Sequence, residues 1–234
     1  MIDHPEDGVA DVPAFKTKGL PAYLVLDTST SMKPHERLLN DTLLKIYDTL
    51  YTSPQLSEFI HLSVISFNTS PHVVTSMTDV EALQSLPTVT CGGLTNMGPL
   101  CVLLRARIIE DIATLAGSGV QVMRPVVFLL TDGLPTDKPT GAWQRELDEL
   151  QDRSWKPWPH IVTYGFGDAS ESVLSRISTA AAYIAEDRAG DNGEALSSAM
   201  ASLMNTLGAT AKAQSLQVPE EVAGYRTLPT DYVG

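Results

Sequence analysis

Cysteine and histidine are scarce in this sequence, and their positions argue against the metal and redox sites usually built from them. The two cysteines, Cys91 and Cys101, form no CxxC pair, and the five histidines are scattered without the spacing of metal ligands. A structural zinc site is therefore not expected, because such sites need closely spaced sulfur and nitrogen ligands. We predict two reduced, buried thiols, and a single disulfide between them is the open alternative.

Clusters of basic residues and long apolar runs are also missing. The chain has 16 lysine and arginine residues against 28 aspartate and glutamate residues, a net charge of −12. This balance disfavours nucleic acid or an anionic membrane as a partner, since phosphate binding needs clustered Lys and Arg. No apolar run approaches the roughly 18 to 20 residues of a membrane helix. Residues 1–19 lack the basic start and apolar core of a signal peptide, so we predict a cytoplasmic protein.

The chain does contain an alternation of strand-like and helix-like segments. Its 234 residues, 43% of them hydrophobic, suffice for one large domain. Short apolar or alternating segments predict strands at 22–27, 60–67, 72–76, 125–131, 160–165 and 183–185. Apolar residues at helical spacing predict helices at 34–51, 96–116, 143–153, 171–178 and 192–212.

This order of elements predicts an α/β fold. We expect a doubly wound, mainly parallel six-stranded sheet with one short antiparallel edge strand and helices on both faces. The predicted domain covers residues 20–213, between a flexible N-terminal leader (1–19) and a C-terminal tail (214–234). In such sheets, ligands bind at the carboxyl ends of strands where the strand order reverses. The loops after Asp27 and Thr131 are therefore where we expect the functional site.

Three polar loops offer oxygen ligands at this edge of the predicted sheet. Asp27, Ser29 and Ser31 alternate in the loop after the first strand. Asp132 follows the most apolar strand, and Thr95 lies in a glycine-rich loop just before a helix. Carboxylate and hydroxyl oxygens are hard ligands that suit Mg²⁺ or Mn²⁺ and not zinc. The sequence therefore predicts a site for Mg²⁺, with Mn²⁺ or Ca²⁺ as alternatives, and with a coordination position left for an outside ligand.

The sequences of these loops resemble those of von Willebrand factor A domains. Asp-x-Ser-x-Ser after one buried strand, a Thr in a Gly-rich loop and Thr-Asp-Gly after another strand are similar to the metal-ion-dependent adhesion site of that superfamily. The resemblance covers roughly residues 20–210. Leu-x-Leu-Asp-Thr-Ser-x-Ser-Met, Gly-Gly-x-Thr-Asn-Met-Gly and Phe-Leu-Leu-Thr-Asp-Gly-x-Pro-Thr-Asp most resemble the bacterial TerY-like branch, which is linked to tellurium resistance and stress response.

The resemblance assigns a role to each of the five residues. It implies that Ser29, Ser31 and Thr95 are direct hydroxyl ligands of the metal. It implies that Asp27 and Asp132 act mostly through water or hold the hydroxyls in place. It also implies a partner protein, because an acidic side chain from outside would complete the metal shell. One departure is that this chain has no C-terminal cysteine-rich zinc module, which some relatives carry.

Together, the residues and the resemblance predict a non-enzymatic, metal-dependent protein-binding module. No Ser–His–Asp order, activated cysteine or phosphate-cradling loop is apparent in the sequence. TerY-like proteins are encoded near a PP2C-type phosphatase and a Ser/Thr kinase, which implies a scaffold or regulator in a bacterial stress-response or defence system. The alternatives are a metal-dependent phosphohydrolase and a substrate adaptor for a MoxR-type AAA+ ATPase. Against the hydrolase, Ser29 stands where a dehalogenase-like nucleophile motif would have a second Asp.

Two further features have both a structural and a functional interpretation. Asp137 follows the Asp132 loop and either supports the metal site or caps a helix or turn. Trp143, Trp155 and Trp158 either pack in the core and loops or form a partner-binding patch, since tryptophan is enriched at interface hot spots.

Overall fold

The computed structural model describes residues 17–77, 87–186 and 192–230. Its strands are β1 (Thr17–Asp27), β2 (Ile60–Phe67), β3 (Pro71–Thr75), β4 (Val120–Val122), β5 (Val126–Thr131), β6 (His160–Gly165), β7 (Ala181–Ala185) and β8 (Tyr225–Leu228). Its helices are α1 (Glu36–Thr52), α2 (Pro54–Ser57), α3 (Met97–Gly117), α4 (Trp143–Gln151), α5 (Glu171–Ile177) and α6 (Asn192–Ala213). A 3-10 helix over Thr30–His35 precedes α1.

The strand order places the ends of β1 and β5 side by side. The sheet runs β3-β2-β1-β5-β6-β7-β8, and β4 pairs with the start of β1. The chain builds outward from β1 to β2 and β3, then returns to the other side of β1 with β5. The order therefore reverses between β1 and β5, which are parallel and pair Leu26 with Leu130. Ligands bind at such a reversal in open α/β sheets, and here its carboxyl edge carries Asp27 and Thr131.

Alternate residues of β1 pack on opposite faces of the sheet, as the two-residue period of a strand requires. Leu24 and Leu26 belong to a core that includes residues of α1 and α6. Tyr23 and Val25 belong to a second core that includes residues of α3 and α4. All four side chains are fully buried. Helices on both faces therefore hold the central strand in place and fix the position of the Asp27 loop at the edge of the sheet.

The predicted fold class is confirmed. The sheet is mainly parallel, helices cover both faces, and β3 is a short antiparallel edge strand that pairs with β2. The helices begin and end within a few residues of the predicted positions, except that Pro34 lies in the 3-10 helix and α1 begins at Glu36. In the part of the chain that the structure describes, no helix is both long and apolar enough to cross a bilayer.

The predicted number of strands was wrong, because the sheet has eight strands and not six. The strand β4 has only three residues and pairs with the start of β1, which begins within the predicted leader at Thr17. The strand β8 lies in the predicted tail and pairs antiparallel with β7. Neither strand has a long apolar pattern, so the sequence did not indicate it. Each is defined by its backbone pairing with a strand that is distant in the chain. Residues 1–16 of the leader and 231–234 of the tail lie outside the described residues.

Candidate metal centre

The carboxylate of Asp27 is fully buried and is held by two neighbours. Its Oδ1 accepts a hydrogen bond of 2.9 Å from the backbone N–H of Ser29. Its Oδ2 accepts one of 2.6 Å from the hydroxyl of Thr131, at the end of β5. The first bond lies within the loop after β1 and the second ties Asp27 to the adjacent strand, so both oxygens of Asp27 are engaged within the protein.

Two hydroxyls connect this loop with the second carboxylate. The Oγ atoms of Ser29 and Ser31 are 3.0 Å apart, and Ser31 Oγ donates to Asp132 Oδ1 over 2.8 Å. Neighbouring oxygens of an octahedral Mg²⁺ shell, with bonds of about 2.0 to 2.1 Å, also lie about 2.9 Å apart. Ser31 Oγ therefore lies at that spacing from both Ser29 Oγ and Asp132 Oδ1. Ser29 and Asp132 are buried, whereas Ser31 is exposed at the mouth of the site.

The loop that carries Thr95 is pinned against the Asp27 loop by backbone contacts. The N–H of Gly92 donates to Thr28 O over 2.8 Å, and both the N–H and the hydroxyl of Thr30 donate to Gly93 O. Gly93 has a φ of +89°, and a Cβ there would lie 2.6 Å from Thr69 Oγ1. A side chain at this position would therefore collide with Thr69, in the turn between β2 and β3.

Thr95 lies at the same edge with its hydroxyl uncommitted. Its backbone N–H donates to Thr136 Oγ1 over 2.9 Å, and its carbonyl accepts from the N–H of Thr136 over 2.8 Å. A Cβ built on Gly133 would lie 3.8 Å from Thr95 Oγ1, so the hydroxyl lies against the Asp132 loop. Thr95 is only 5% exposed, yet its hydroxyl makes no hydrogen bond to any described residue. This hydroxyl is not one of the buried, unpaired side-chain atoms of the described residues, so it is accessible and available to bind a cation.

The electrostatics of the site favour a bound cation. Burial raises the pKa of Asp27 to about 6, even though hydrogen bonds from Thr131 and Ser29 work in the opposite direction, and the charge of Asp132 adds to the increase. Burial also raises the pKa of Asp132, and the charge of Asp168 adds to that shift. Two desolvated carboxylates at one edge are compensated best by a positive charge.

The residues at this edge fit a hard divalent cation and not a soft one. Within the described ranges, no group of three or more His, Cys, Asp and Glu side chains is arranged to hold a metal ion. The candidate centre has two carboxylates, and its remaining oxygens are hydroxyls. Such an all-oxygen set suits Mg²⁺, Mn²⁺ or Ca²⁺.

All five predicted residues lie at this edge of the sheet, but three supporting residues were missed. Thr131 orients Asp27, and Thr136 fixes the backbone of Thr95. Asp168, which is exposed in the loop after β6, donates its N–H to Asp132 O over 2.8 Å. A polar residue ending the apolar strand β5 was the one available signal for Thr131. Nothing local marks Thr136 or Asp168, because their partners are distant in sequence.

Asp137 acts as a helix cap and is not part of the metal edge. Its two carboxylate oxygens accept hydrogen bonds of 2.8 Å from the N–H groups of Met97 and Gly98, at the start of α3. These groups have no partner within the helix, and a negative charge there also favours the helix dipole. Asp137 therefore positions α3, the helix that directly follows Thr95.

The cysteines and tryptophans have structural surroundings. Cys91 and Cys101 are free and buried, and burial raises their pKa values to about 11 and about 12, so both thiols stay protonated. Trp143 is buried in the core between α3 and α4. Trp155 and Trp158 are half-buried, with the guanidinium groups of Arg105 and Arg124 over their rings. The faces of these two rings are therefore covered by cation–π contacts within the chain.

Comparison with known proteins identifies the fold. No family model matches the sequence, and no curated protein matches it. A von Willebrand factor type A protein from Catenulispora acidiphila superposes with a TM-score of 0.53 at 17% identity, over 78% of this chain and 43% of its own. The pilus adhesin SpaC from Lactobacillus rhamnosus GG superposes with a TM-score of 0.59 at 14% identity, over 84% of this chain and 30% of its own.

The fold is thus that of von Willebrand factor A domains, and the predicted resemblance is confirmed at the level of the fold. The chain spans less than half the length of either structure. The similarity concerns the arrangement of helices and strands, and the TerY-like branch remains a prediction from the loop sequences.

Proposed function

We propose that this chain is a non-enzymatic protein-binding module that holds one divalent cation at the edge formed by Asp27, Ser29, Ser31, Thr95 and Asp132. The observation that carries the proposal is the continuous string from Ser29 Oγ through Ser31 Oγ to Asp132 Oδ1, with contacts of 3.0 and 2.8 Å. It lies where the strand order reverses, which is the binding position of such sheets. Mg²⁺ is the favoured ion, and Mn²⁺ and Ca²⁺ are the alternatives.

The contacts support different roles for the five side chains. The hydroxyls of Ser29, Ser31 and Thr95 are the available direct ligands. Both oxygens of Asp27 already accept hydrogen bonds, which suits a carboxylate that supplies negative charge and holds the loop. The cation contributes Lewis acidity and charge once bound. Since Mg²⁺ keeps several waters among its six oxygens, an acidic side chain of a partner can replace one of them.

The same contacts favour binding over hydrolysis. In a metal-dependent phosphohydrolase of the dehalogenase type, Asp27 would have to reach the substrate as a nucleophile. Here it is fully buried and fixed by Thr131 and the Ser29 backbone. The nearby thiol of Cys91 stays protonated because burial raises its pKa to about 11. These contacts therefore suit side chains that hold a metal ion in place better than side chains that react with a substrate.

A direct test is to measure Mg²⁺ binding by titration calorimetry on the full chain and on Ser29→Ala. We expect the substitution to weaken binding by roughly 10- to 100-fold, because one hydroxyl of the cation's shell is lost. Ser57→Ala in α2, which removes a hydroxyl far from this edge, is the matched control. Equal Mg²⁺ affinity in all three proteins would contradict the site. Turnover of phosphomonoesters that Asp27→Asn abolishes would instead support the hydrolase.

For the cellular role we propose a cytoplasmic scaffold or regulator in a bacterial stress-response or defence system, with a PP2C-type phosphatase or a Ser/Thr kinase as partner. The three loop strings that resemble the TerY-like branch support this context. Affinity capture on the intact chain with Mg²⁺ or with EDTA tests it, because a genuine partner should be retained only with Mg²⁺. Capture of a MoxR-type AAA+ ATPase would favour the adaptor role.

A further inference from the structure

The segment that leads into the Thr95 loop is held by side chains of α1 and not by a neighbouring strand. Val89 and Cys91 are buried in the same core as residues of α1, whereas Thr90 between them is exposed. This alternation is typical of an extended chain, yet the described residues 87–91 belong to no strand of the sheet. Their backbone groups therefore need partners from elsewhere, because an unpaired buried N–H or C=O is costly.

Two polar side chains of α1 supply these partners. Asn40 Oδ1 accepts from the N–H of Val89 over 2.7 Å, and Asn40 Nδ2 donates to the carbonyl of Val89 over 3.0 Å. Glu36 Oε2 accepts from the N–H of Cys91 over 2.6 Å. Glu36 and Asn40 are four residues apart and therefore lie on one face of the helix. We call these two side chains, with their bonds to residues 89–91, the α1 clamp.

The glutamate of the α1 clamp is itself held in place. Its Oε2 also accepts a hydrogen bond of 2.7 Å from Lys33 Nζ. The bond from the Cys91 N–H, followed by the bond from Lys33, lowers the pKa of the Glu36 carboxyl group. The group therefore accepts these bonds as a carboxylate, and hydrogen bonds to an ionised acceptor are stronger than those between neutral groups.

The α1 clamp connects the hydroxyls of two different loops of the proposed metal edge. Ser31 lies in the 3-10 helix that runs directly into α1, five residues before Glu36. Thr95 lies four residues after Cys91, in the segment that the clamp holds. The helix α1 therefore follows one hydroxyl directly in the chain and fixes the backbone that leads to the other, so the two are linked through one rigid element.

We propose that Glu36 and Asn40 are positioning residues that determine which cation the site selects, because they hold Thr95 at a set distance from Ser29 and Ser31. The inference rests on the proposed function and adds the origin of its preference for Mg²⁺. Mg²⁺ demands near-ideal octahedral geometry with bonds of about 2.0 to 2.1 Å, whereas Ca²⁺ accepts flexible arrangements with bonds of about 2.3 to 2.6 Å. Loosening the Thr95 segment therefore penalises Mg²⁺ more than Ca²⁺.

The test is calorimetric titration of the full chain with Mg²⁺ and, separately, with Ca²⁺. For Glu36→Ala and Asn40→Ala we expect the Mg²⁺ affinity to fall by about ten-fold, at the lower end of the effect of groups that orient metal ligands. The Ca²⁺ affinity should change by less than about two-fold, since Ca²⁺ tolerates displaced ligands. The ratio of the two affinities should therefore fall by about five-fold or more.

Two matched variants separate positioning from charge. Glu36→Gln removes the negative charge but keeps an oxygen that accepts from the Cys91 N–H, so it should retain the selectivity of the unaltered chain. Asp41→Ala removes an exposed carboxylate of α1 that lies 3.7 Å from Arg37 Nε, and it should leave both affinities unchanged. If Glu36→Gln behaved like Glu36→Ala, Glu36 would act through its charge and the proposal would be overturned.

Amide hydrogen exchange in EDTA examines the α1 clamp in the metal-free chain. The N–H of Gly92 donates to Thr28 O over 2.8 Å, and that of Thr95 donates to Thr136 Oγ1 over 2.9 Å. Neither bond involves the substituted side chains. Both amides should exchange at least about five-fold faster in Asn40→Ala, while the amides of β5 keep the rate of the unaltered chain, because the opening is local. Unchanged exchange at Gly92 and Thr95 would contradict the clamp.

The outcomes separate this inference from the proposed function. An unaltered chain that binds no Mg²⁺ would remove both. Mg²⁺ binding in the unaltered chain, with the two alanine variants losing Mg²⁺ and Ca²⁺ affinity by the same factor or losing neither, would overturn the role of the α1 clamp alone.

Discussion

At the scale of single residues, the site depends on side chains such as Thr131 that orient the proposed metal-site residues through hydrogen bonds. Thr131 reaches across from β5 to Asp27 Oδ2, and its hydroxyl is the only side-chain group among the described residues that donates to this oxygen. The bond is 2.6 Å long and fully buried, and it works against the desolvation that raises the pKa of Asp27. Without it, the carboxylate would lose both its orientation and part of its negative charge near pH 6.

We predict that Thr131→Val weakens Mg²⁺ binding by roughly 10- to 100-fold, the usual effect of removing a group that orients a metal ligand. Valine keeps the shape and β-propensity of threonine, so β5 should persist. Calorimetry with Mg²⁺ gives the affinity. Thr131→Ser, which retains the hydroxyl, should recover most of it, and failure of this rescue would show that Thr131 acts through packing alone.

At the scale of elements, β8 completes the sheet from within the predicted tail. Tyr225 and Leu228, at the two ends of the strand, are buried, whereas Arg226 and Thr227 between them are exposed. The ring of Tyr225 meets that of Tyr164 edge-on with centroids 5.9 Å apart, and its hydroxyl donates to Ala195 O. This strand therefore joins the end of the chain to β6, β7 and α6.

We predict that Tyr225→Ala lowers the free energy of unfolding by roughly 3 kcal/mol or more, the usual cost of removing a buried aromatic ring. Tyr51→Ala, at a ring that is 65% exposed, should change it by less than about 0.5 kcal/mol. Urea unfolding followed by tryptophan fluorescence measures both. Equal stability of the two variants would mean that β8 contributes nothing to the fold.

At the scale of the whole molecule, folding places two carboxylates where water is excluded. Asp27 has a pKa of about 6 in the folded chain, against an ordinary value of 3.8. The folded state therefore binds this proton more tightly than the unfolded state does. Its contribution to stability is fully present below about pH 4 and is lost as the pH rises through about 6. A bound cation reverses the preference, because it requires the ionised carboxylate.

We predict that in EDTA the free energy of unfolding of the unaltered chain falls between pH 4 and pH 7 relative to that of Asp27→Asn. The difference should approach about 3 kcal/mol, at 1.36 kcal/mol per pKa unit. With excess Mg²⁺ the unaltered chain should gain stability above pH 6, and the variant should not. Parallel pH profiles of the two proteins in EDTA would contradict the buried, protonated state of Asp27.

The sequence by itself determined the central strands, the long helices and the identity of the five oxygen-bearing residues. These features are local, because the spacing of apolar residues and the polar loops can be recognised without knowing which segments they contact. The approximate alignment of the strand ends follows from the parallel arrangement of the strands. Tertiary structure decided the contact of Thr131 with Asp27, the role of Asp137 as a cap for α3, and the pairing of β4 and β8. Each joins residues far apart in the chain, so it exists only once the strand order has brought their backbones together.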